Sequence, residues 1–164
     1  MKLNVVDSKL KLAKTDLLCV FVFDREKPEL PGGVKVHATA LADMRGEFRE
    51  LRLADVQDGS AKRVLFIGLG KRADFSAERL RRVAALGVQR ADAIGANSAT
   101  LWCDAACADA VGGGEHAGTA LAEGALMGSY RYTRFKSKPR ARKLEELTLA
   151  GPGKSFKSAA ANGR

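Results

Sequence analysis

In Asp16-Leu17-Leu18-Cys19-Val20-Phe21-Val22-Phe23, every residue after the opening acid is apolar, and Asp24 closes the run. A strand with one wet face would show a polar residue at every second position. This one shows none, so both of its faces must be covered. Arg63-Val64-Leu65-Phe66-Ile67-Gly68-Leu69-Gly70 repeats the pattern. Two such strands imply a largely parallel sheet with helices on both faces. The core available to them is aliphatic, because the chain is 46% hydrophobic but only 6% aromatic, and 17 glycines supply tight backbone positions. An α/β class follows.

Shorter strands are expected at residues 3–6, 100–103 and 147–149, with 48–53 as a weaker strand whose broken alternation suits a sheet edge. Residues 78–94 carry Leu80, Val83, Ala84, Gly87, Ala91 and Ile94 at helical spacing, with Asp74 or Ser76 available as the cap. Residues 115–130 line one helical face with Ala117, Ala120, Leu121 and Gly124, small enough for close packing on a sheet. Pro28, Pro31, Gly32 and Gly33 punctuate a loop, and residues 38–44 read as a further short helix. Gly112-Gly113-Gly114 is another loop, and Gly151-Pro152-Gly153 ends the last strand before a new element begins at Lys154. At 164 residues the chain is one ordinary domain with a short appendage.

Charge is the next constraint. The net charge of +9 resembles that of a nucleic-acid binder, yet residues 1–130 hold 18 basic and 17 acidic groups. Seven basic groups and no acid fall in 131–143, so the excess is one local segment. There Arg131, Arg134, Lys136 and Lys138 interleave with Tyr130, Tyr132 and Phe135, a mixture that can meet phosphates while stacking bases. The competing reading packs the aromatics at the end of the preceding helix and leaves the cations solvated.

The other candidate chemistry is sparse. Gly68-Leu69-Gly70-Lys71-Arg72-Ala73 follows a strand and fits a loose G-x-G-x-x-A nucleotide loop with Asp92 downstream. Asp74-Phe75-Ser76 intervenes before the helix, however, so its amides would not open directly onto a pyrophosphate. A strand ending in a tight glycine turn explains the same residues. Cys103 and Cys107 share a helical spacing near His116, but a structural zinc site needs a fourth ligand and none is evident. His37 has no Ser or Cys partner at a recognisable spacing, and neither G-x-S-x-G nor H-E-x-x-H occurs. No catalytic residue and no metal ligand is therefore assigned. Three cysteines argue against a disulfide framework and for a cytoplasmic setting. The longest apolar run, seven residues from Leu17 to Phe23, is far short of the ~20 that span a bilayer, so no membrane partner is expected.

Glu123-Gly124-Ala125-Leu126-Met127-Gly128-Ser129-Tyr130-Arg131-Tyr132-Thr133-Arg134-Phe135-Lys136-Ser137 resembles the signature that closes the N-terminal domain of leucyl (cytosol) aminopeptidases, with its Leu displaced by one position. The 62–71 strand with its Gly-Leu-Gly-Lys end, the 16–23 strand and the closing 144–149 strand follow in matching order. The resemblance covers residues 1–150 and implies a macro-domain-like, three-layer α/β/α fold with a mixed, mostly parallel sheet. It also implies that catalysis belongs to a separate C-terminal domain, where two divalent metals (Zn or Mn) activate water against the first peptide bond. That domain's Asn-Thr-Asp-Ala-Glu-Gly-Arg run is absent from these 164 residues. The implied role is assembly or substrate access, with the catalytic domain as partner and a homo-hexamer as the assembled state. Residues 151–164 would then begin the link to that domain. DNA binding through 131–143, or ADP-ribose or nucleotide binding at Gly68, Gly70 and Lys71 or at the Gly112–Gly114 loop, are the alternatives the resemblance leaves open.

Overall fold

The computed structural model describes residues 1–130 and 141–163. Among them, β1 (Lys2–Asp7), β2 (Thr15–Phe23), β3 (Lys35–Val36), β4 (Leu51–Asp58), β5 (Ala61–Gly70), β6 (Ser98–Trp102) and β7 (Glu146–Gly151) form one sheet in the order β1-β7-β6-β2-β5-β4-β3. The five strands from β1 to β5 in that order pair in parallel, while β4 and β3 add antiparallel. The helices are α1 (Ala77–Ala93), α2 (Ala105–Ala110), α3 (Gly114–Ser129) and α4 (Gly153–Asn162). The α/β class and the largely parallel sheet are those expected from the two apolar runs, and the antiparallel β4 and β3 make the sheet mixed, as the family resemblance implied.

β2 and β5 occupy the middle of the sheet, and their side chains divide strictly by parity. Leu17, Cys19, Phe21, Leu65, Ile67 and Leu69 enter a core shared with all four helices. Leu18, Val20, Val22, Val64 and Phe66 enter a second core on the opposite face. Among the described residues, no helix covers that second face, where the sequence predicts one. Its cover is the loop of residues 24–49, which presents Leu30, Val34, Val36, Leu41 and Met44 to the sheet. The expected helix at 38–44 is replaced by three successive turns, in which Ala40, Ala42 and Met44 donate backbone N–H bonds to His37, Thr39 and Leu41. The His37 ring accepts the Thr39 N–H at 3.2 Å, a local bond that competes with helix initiation. The third layer is present but is built from turns.

The 48–53 expectation is shifted. The strand runs from Leu51 to Asp58, and the two-residue β3 lies beyond it at the true edge. α1 begins at Ser76, whose Oγ accepts the Arg79 N–H at 3.3 Å, and buries Leu80, Val83, Ala84, Gly87, Val88 and Ala91. The element expected after Pro152 is α4, whose Phe156 and Ala160 are fully buried in the helix-side core.

The small residues of α3 serve helix contacts more than the sheet contact anticipated for them. A Cβ on Gly124 would stand 2.4 Å from the Arg81 carbonyl oxygen, and one on Gly128 would stand 2.5 Å from that of Ala85. α3 therefore lies backbone against backbone on α1. Glu123 adds an ion pair with Arg81 at 2.5 Å. Two elements of the 123–137 signature, the acid and the first glycine, thus fasten α3 to α1.

Candidate functional site

Ligands of open α/β sheets bind where parallel strands end, so the carboxyl ends of β2, β5 and β6 are the place to look. Beyond β5, Arg72 reaches back to the segment following β2. Its Nε and Nη2 donate to Glu26 at 2.6 and 2.8 Å, and its guanidinium lies 4.3 Å above the Phe23 ring. Phe75 meets Phe23 edge to face at 5.1 Å. The Glu26 carboxylate is held below its ordinary range chiefly by the Arg72 hydrogen bonds. This fork ties the exits of two adjacent strands together.

The glycines of the candidate nucleotide loop are used internally. The Gly68 N–H donates to the Glu50 carbonyl at 2.8 Å and the Gly70 N–H to the Gly46 carbonyl at 2.9 Å. A Cβ on Gly68 would lie 1.9 Å from the Glu47 carbonyl oxygen, so the absence of a side chain admits the 45–50 loop. That loop also supplies its own anion: Glu50 Oε1 accepts the N–H groups of Arg45, Gly46 and Glu47 at 3.1, 2.8 and 3.1 Å. Neither glycine amide is left to meet a phosphate. Lys71 is exposed beside them.

Cys103 and Cys107 do come together, both buried. The Cys107 thiol is pushed well up by its hydrogen bond with Cys103 and by burial, which keeps it a neutral thiol. Between them Asp104 caps α2 by accepting the Cys107 N–H at 2.7 Å, and burial raises its carboxyl. His116 is exposed on α3. The donor set does not fit a divalent metal: among the described residues no three His, Cys, Asp or Glu side chains converge on one point. Arg131, Arg134, Lys136 and Lys138 lie outside the described residues.

The carboxyl end of β2 also opens on a cleft that no sequence motif marks. The 24–44 loop encloses an open cleft of about 490 Å³ against Val22, with Leu30, Val36, Leu41 and Met44 as walls and Arg25, Glu26, Lys27 and His37 as its polar groups. The sequence signal was there in another form, since a Pro- and Gly-rich loop with this many apolar residues has to cover something.

A family model for the N-terminal domain of the cytosol aminopeptidase family matches residues 36–139. The chain belongs to that family. It is 38% identical over 95 residues to a probable cytosol aminopeptidase of Roseiflexus castenholzii, covering 56% of this chain and 19% of the relative. The probable cytosol aminopeptidase of Solibacter usitatus is 27% identical over 165 residues, covering 100% of this chain and 33% of that one. The chain thus spans a third or less of the length of these two curated relatives. Among solved structures, the bottromycin maturation enzyme BotP aligns at TM-score 0.66 and 26% identity, covering 90% of this chain and 29% of BotP. A tomato leucine aminopeptidase aligns at TM-score 0.69 and 17% identity, covering 99% of this chain and 35% of that one, and shares the fold. Among the described residues, no helix is long and apolar enough to cross a membrane.

Proposed function

We propose that this chain is the non-catalytic N-terminal domain of a metal-dependent, cytoplasmic aminopeptidase that removes N-terminal residues from peptides, and that it serves assembly or substrate access. The observation that carries this reading is the family match on a chain spanning only a third or less of its relatives. In this reading the two divalent metals and the residues that hold them belong to a C-terminal domain, and the parent enzyme is a homo-hexamer. The surface supports a role in assembly. At the C-terminal end of α3, Leu126, Met127 and Tyr130 are 39%, 62% and 73% exposed, a grouping of apolar side chains that suits a protein contact.

The test is a chain extended through the following reading frame, with and without Leu126→Lys and Met127→Lys. Sedimentation is expected to show a large assembly that the double substitution weakens. Unchanged assembly and unchanged peptide hydrolysis in the substituted protein would reject the role of this surface.

A second reading, DNA binding, is favoured by the seven basic groups of residues 131–143. It predicts a steeply salt-dependent mobility shift. Replacing Arg131, Arg134, Lys136 and Lys138 with Ala should abolish that shift, and a shift that survives the replacement rejects the reading.

A further inference from the structure

The cleft beneath the 24–44 loop has an apolar wall and a cationic rim. Its volume of about 490 Å³ lies within the range of small-molecule sites, roughly 300 to 1,000 Å³. Val22, Leu30, Val36, Leu41 and Met44 make an aliphatic wall with no aromatic platform. Such a wall matches a branched alkyl group better than a nucleobase, which would seek a ring to stack on.

The polar groups are one-sided. Arg25 and Lys27 line the cleft, and neither side chain has an ion-pair or hydrogen-bond partner among the described residues. The lining carboxylate, Glu26, is already occupied by both nitrogens of the Arg72 fork. His37 Nδ1 accepts the Thr39 backbone N–H at 3.2 Å and lies 2.7 Å from the Thr39 hydroxyl, so a neutral ring carries its proton on Nε2. The unpaired side-chain groups left to a ligand are therefore donors. Arg25 is also one of two described non-glycine residues with positive φ, at 58°, and its N–H is tied to the Arg45 carbonyl at 2.7 Å. A long cationic side chain stands where the backbone would favour glycine or asparagine, a placement often associated with function. Two other clefts of comparable size have different walls, one mixing Asn4, Thr100 and Glu146 with Leu3, Val5 and Leu12 and the other lined along Lys11, Lys14, Gly32 and Gly33.

We infer that this cleft binds a small aliphatic carboxylate, with the alkyl group against Leu30, Val36, Leu41 and Met44 and the carboxylate on Arg25, Lys27 and the Nε2–H of His37. The inference does not rest on the proposed role in assembly. A free branched-chain acid and the C-terminal residue of an apolar peptide share this chemistry. A free amino acid fits less well, because its ammonium would stand among the cations Arg25 and Lys27, and the lining carboxylate, Glu26, is already paired with Arg72.

The experiment is calorimetric titration of the whole chain with 4-methylpentanoate, N-acetyl-leucine, N-acetyl-leucinamide and leucine. The first two are expected to bind at least tenfold more tightly than the amide and the free amino acid. A preference for N-acetyl-leucine assigns the peptide terminus, and a preference for 4-methylpentanoate assigns the free acid. Arg25→Met with Lys27→Met keeps the alkyl stems and should erase the preference for acid over amide. Leu41→Trp should fill the cleft and abolish binding of all four. Equal affinity for acid and amide, no binding of either acid, or binding untouched by Leu41→Trp in a protein that retains its circular dichroism would overturn the inference.

Discussion

Replacing Gly124 with Ala tests the α1 and α3 contact, and the structure sets the size of the effect. The new Cβ would lie 2.4 Å from the Arg81 carbonyl oxygen and 2.8 Å from both the Arg81 Cα and the Ala84 Cβ. Ordinary contact begins near 3.4 Å, so the helices must part by about 1 Å. The clashing atoms are mostly backbone and cannot rotate away, which places the overpacking cost near the upper end of its usual range, about 3 kcal/mol. Alanine recovers about 1 kcal/mol of helix propensity. The net expectation is a loss of about 2 kcal/mol, a large fraction of the ~5 to 15 kcal/mol that holds a typical domain together. Gly87→Ala on α1 is the control. Its Cβ would meet the side chains of Leu101, Ile67 and Cys19 at 3.1, 3.2 and 3.4 Å, which can adjust. Its effect should stay within about 1 kcal/mol of zero, because propensity offsets the crowding. Urea denaturation followed by the fluorescence of Trp102, the single tryptophan, reads both variants. A Gly124→Ala protein as stable as the parent would refute the backbone contact between these helices.

Two further perturbations address the sheet. Gly68→Ala should destabilise by at least as much as Gly124→Ala, since its Cβ would penetrate to 1.9 Å of the Glu47 carbonyl; a nearly neutral effect in the same urea assay would show that the 45–50 loop is not seated there. Asp16 accepts from Lys62 Nζ at 2.8 Å and from the Asn97 N–H at 2.9 Å, so its carboxyl is lowered from the ordinary value, first by the Lys62 hydrogen bond. A lowered folded-state value stabilises above the unfolded value, near 3.8, and that stabilisation is lost as the pH falls through the folded value. Asp16→Asn should therefore cost about 1 kcal/mol at pH 7, with the gap to the parent closing below about pH 4. A gap that stays constant down to pH 2 would contradict the ion pair.

The sequence exposed the centre of the fold better than its rim. The two unbroken apolar runs became β2 and β5, the central pair, because burial on both faces leaves no other pattern of side chains. α1 was legible through its spacing, and the choice between Asp74 and Ser76 was settled by which side chain reached the Arg79 N–H. β4 was only half seen, since its two faces are both partly wet from Leu51 to Asp58 and alternation fails; the Asp58-Gly59 pair before β5 was the missed hairpin signal. Residues 38–44 looked helical by composition, but the local bond between His37 and Thr39 and the cover they give to Val22 and its neighbours favour turns. In the 123–137 stretch the family resemblance was readable, whereas the reason for its glycine was not, because the Arg81 carbonyl that crowds Gly124 is 43 residues away in sequence. The cleft was less legible still. Arg25, His37 and Leu41 have no shared spacing, and only the folding of their loop over β2 brings them to one opening.

The role proposed for this chain predicts that hydrolysis belongs to another domain of the parent enzyme. The most direct measurement is hydrolysis of leucine p-nitroanilide with Mn(II) or Zn(II), using the purified chain beside the same chain extended through its following reading frame. Turnover confined to the extended protein is the predicted result. Metal-dependent turnover by these 164 residues alone, co-eluting with the folded protein, would contradict it.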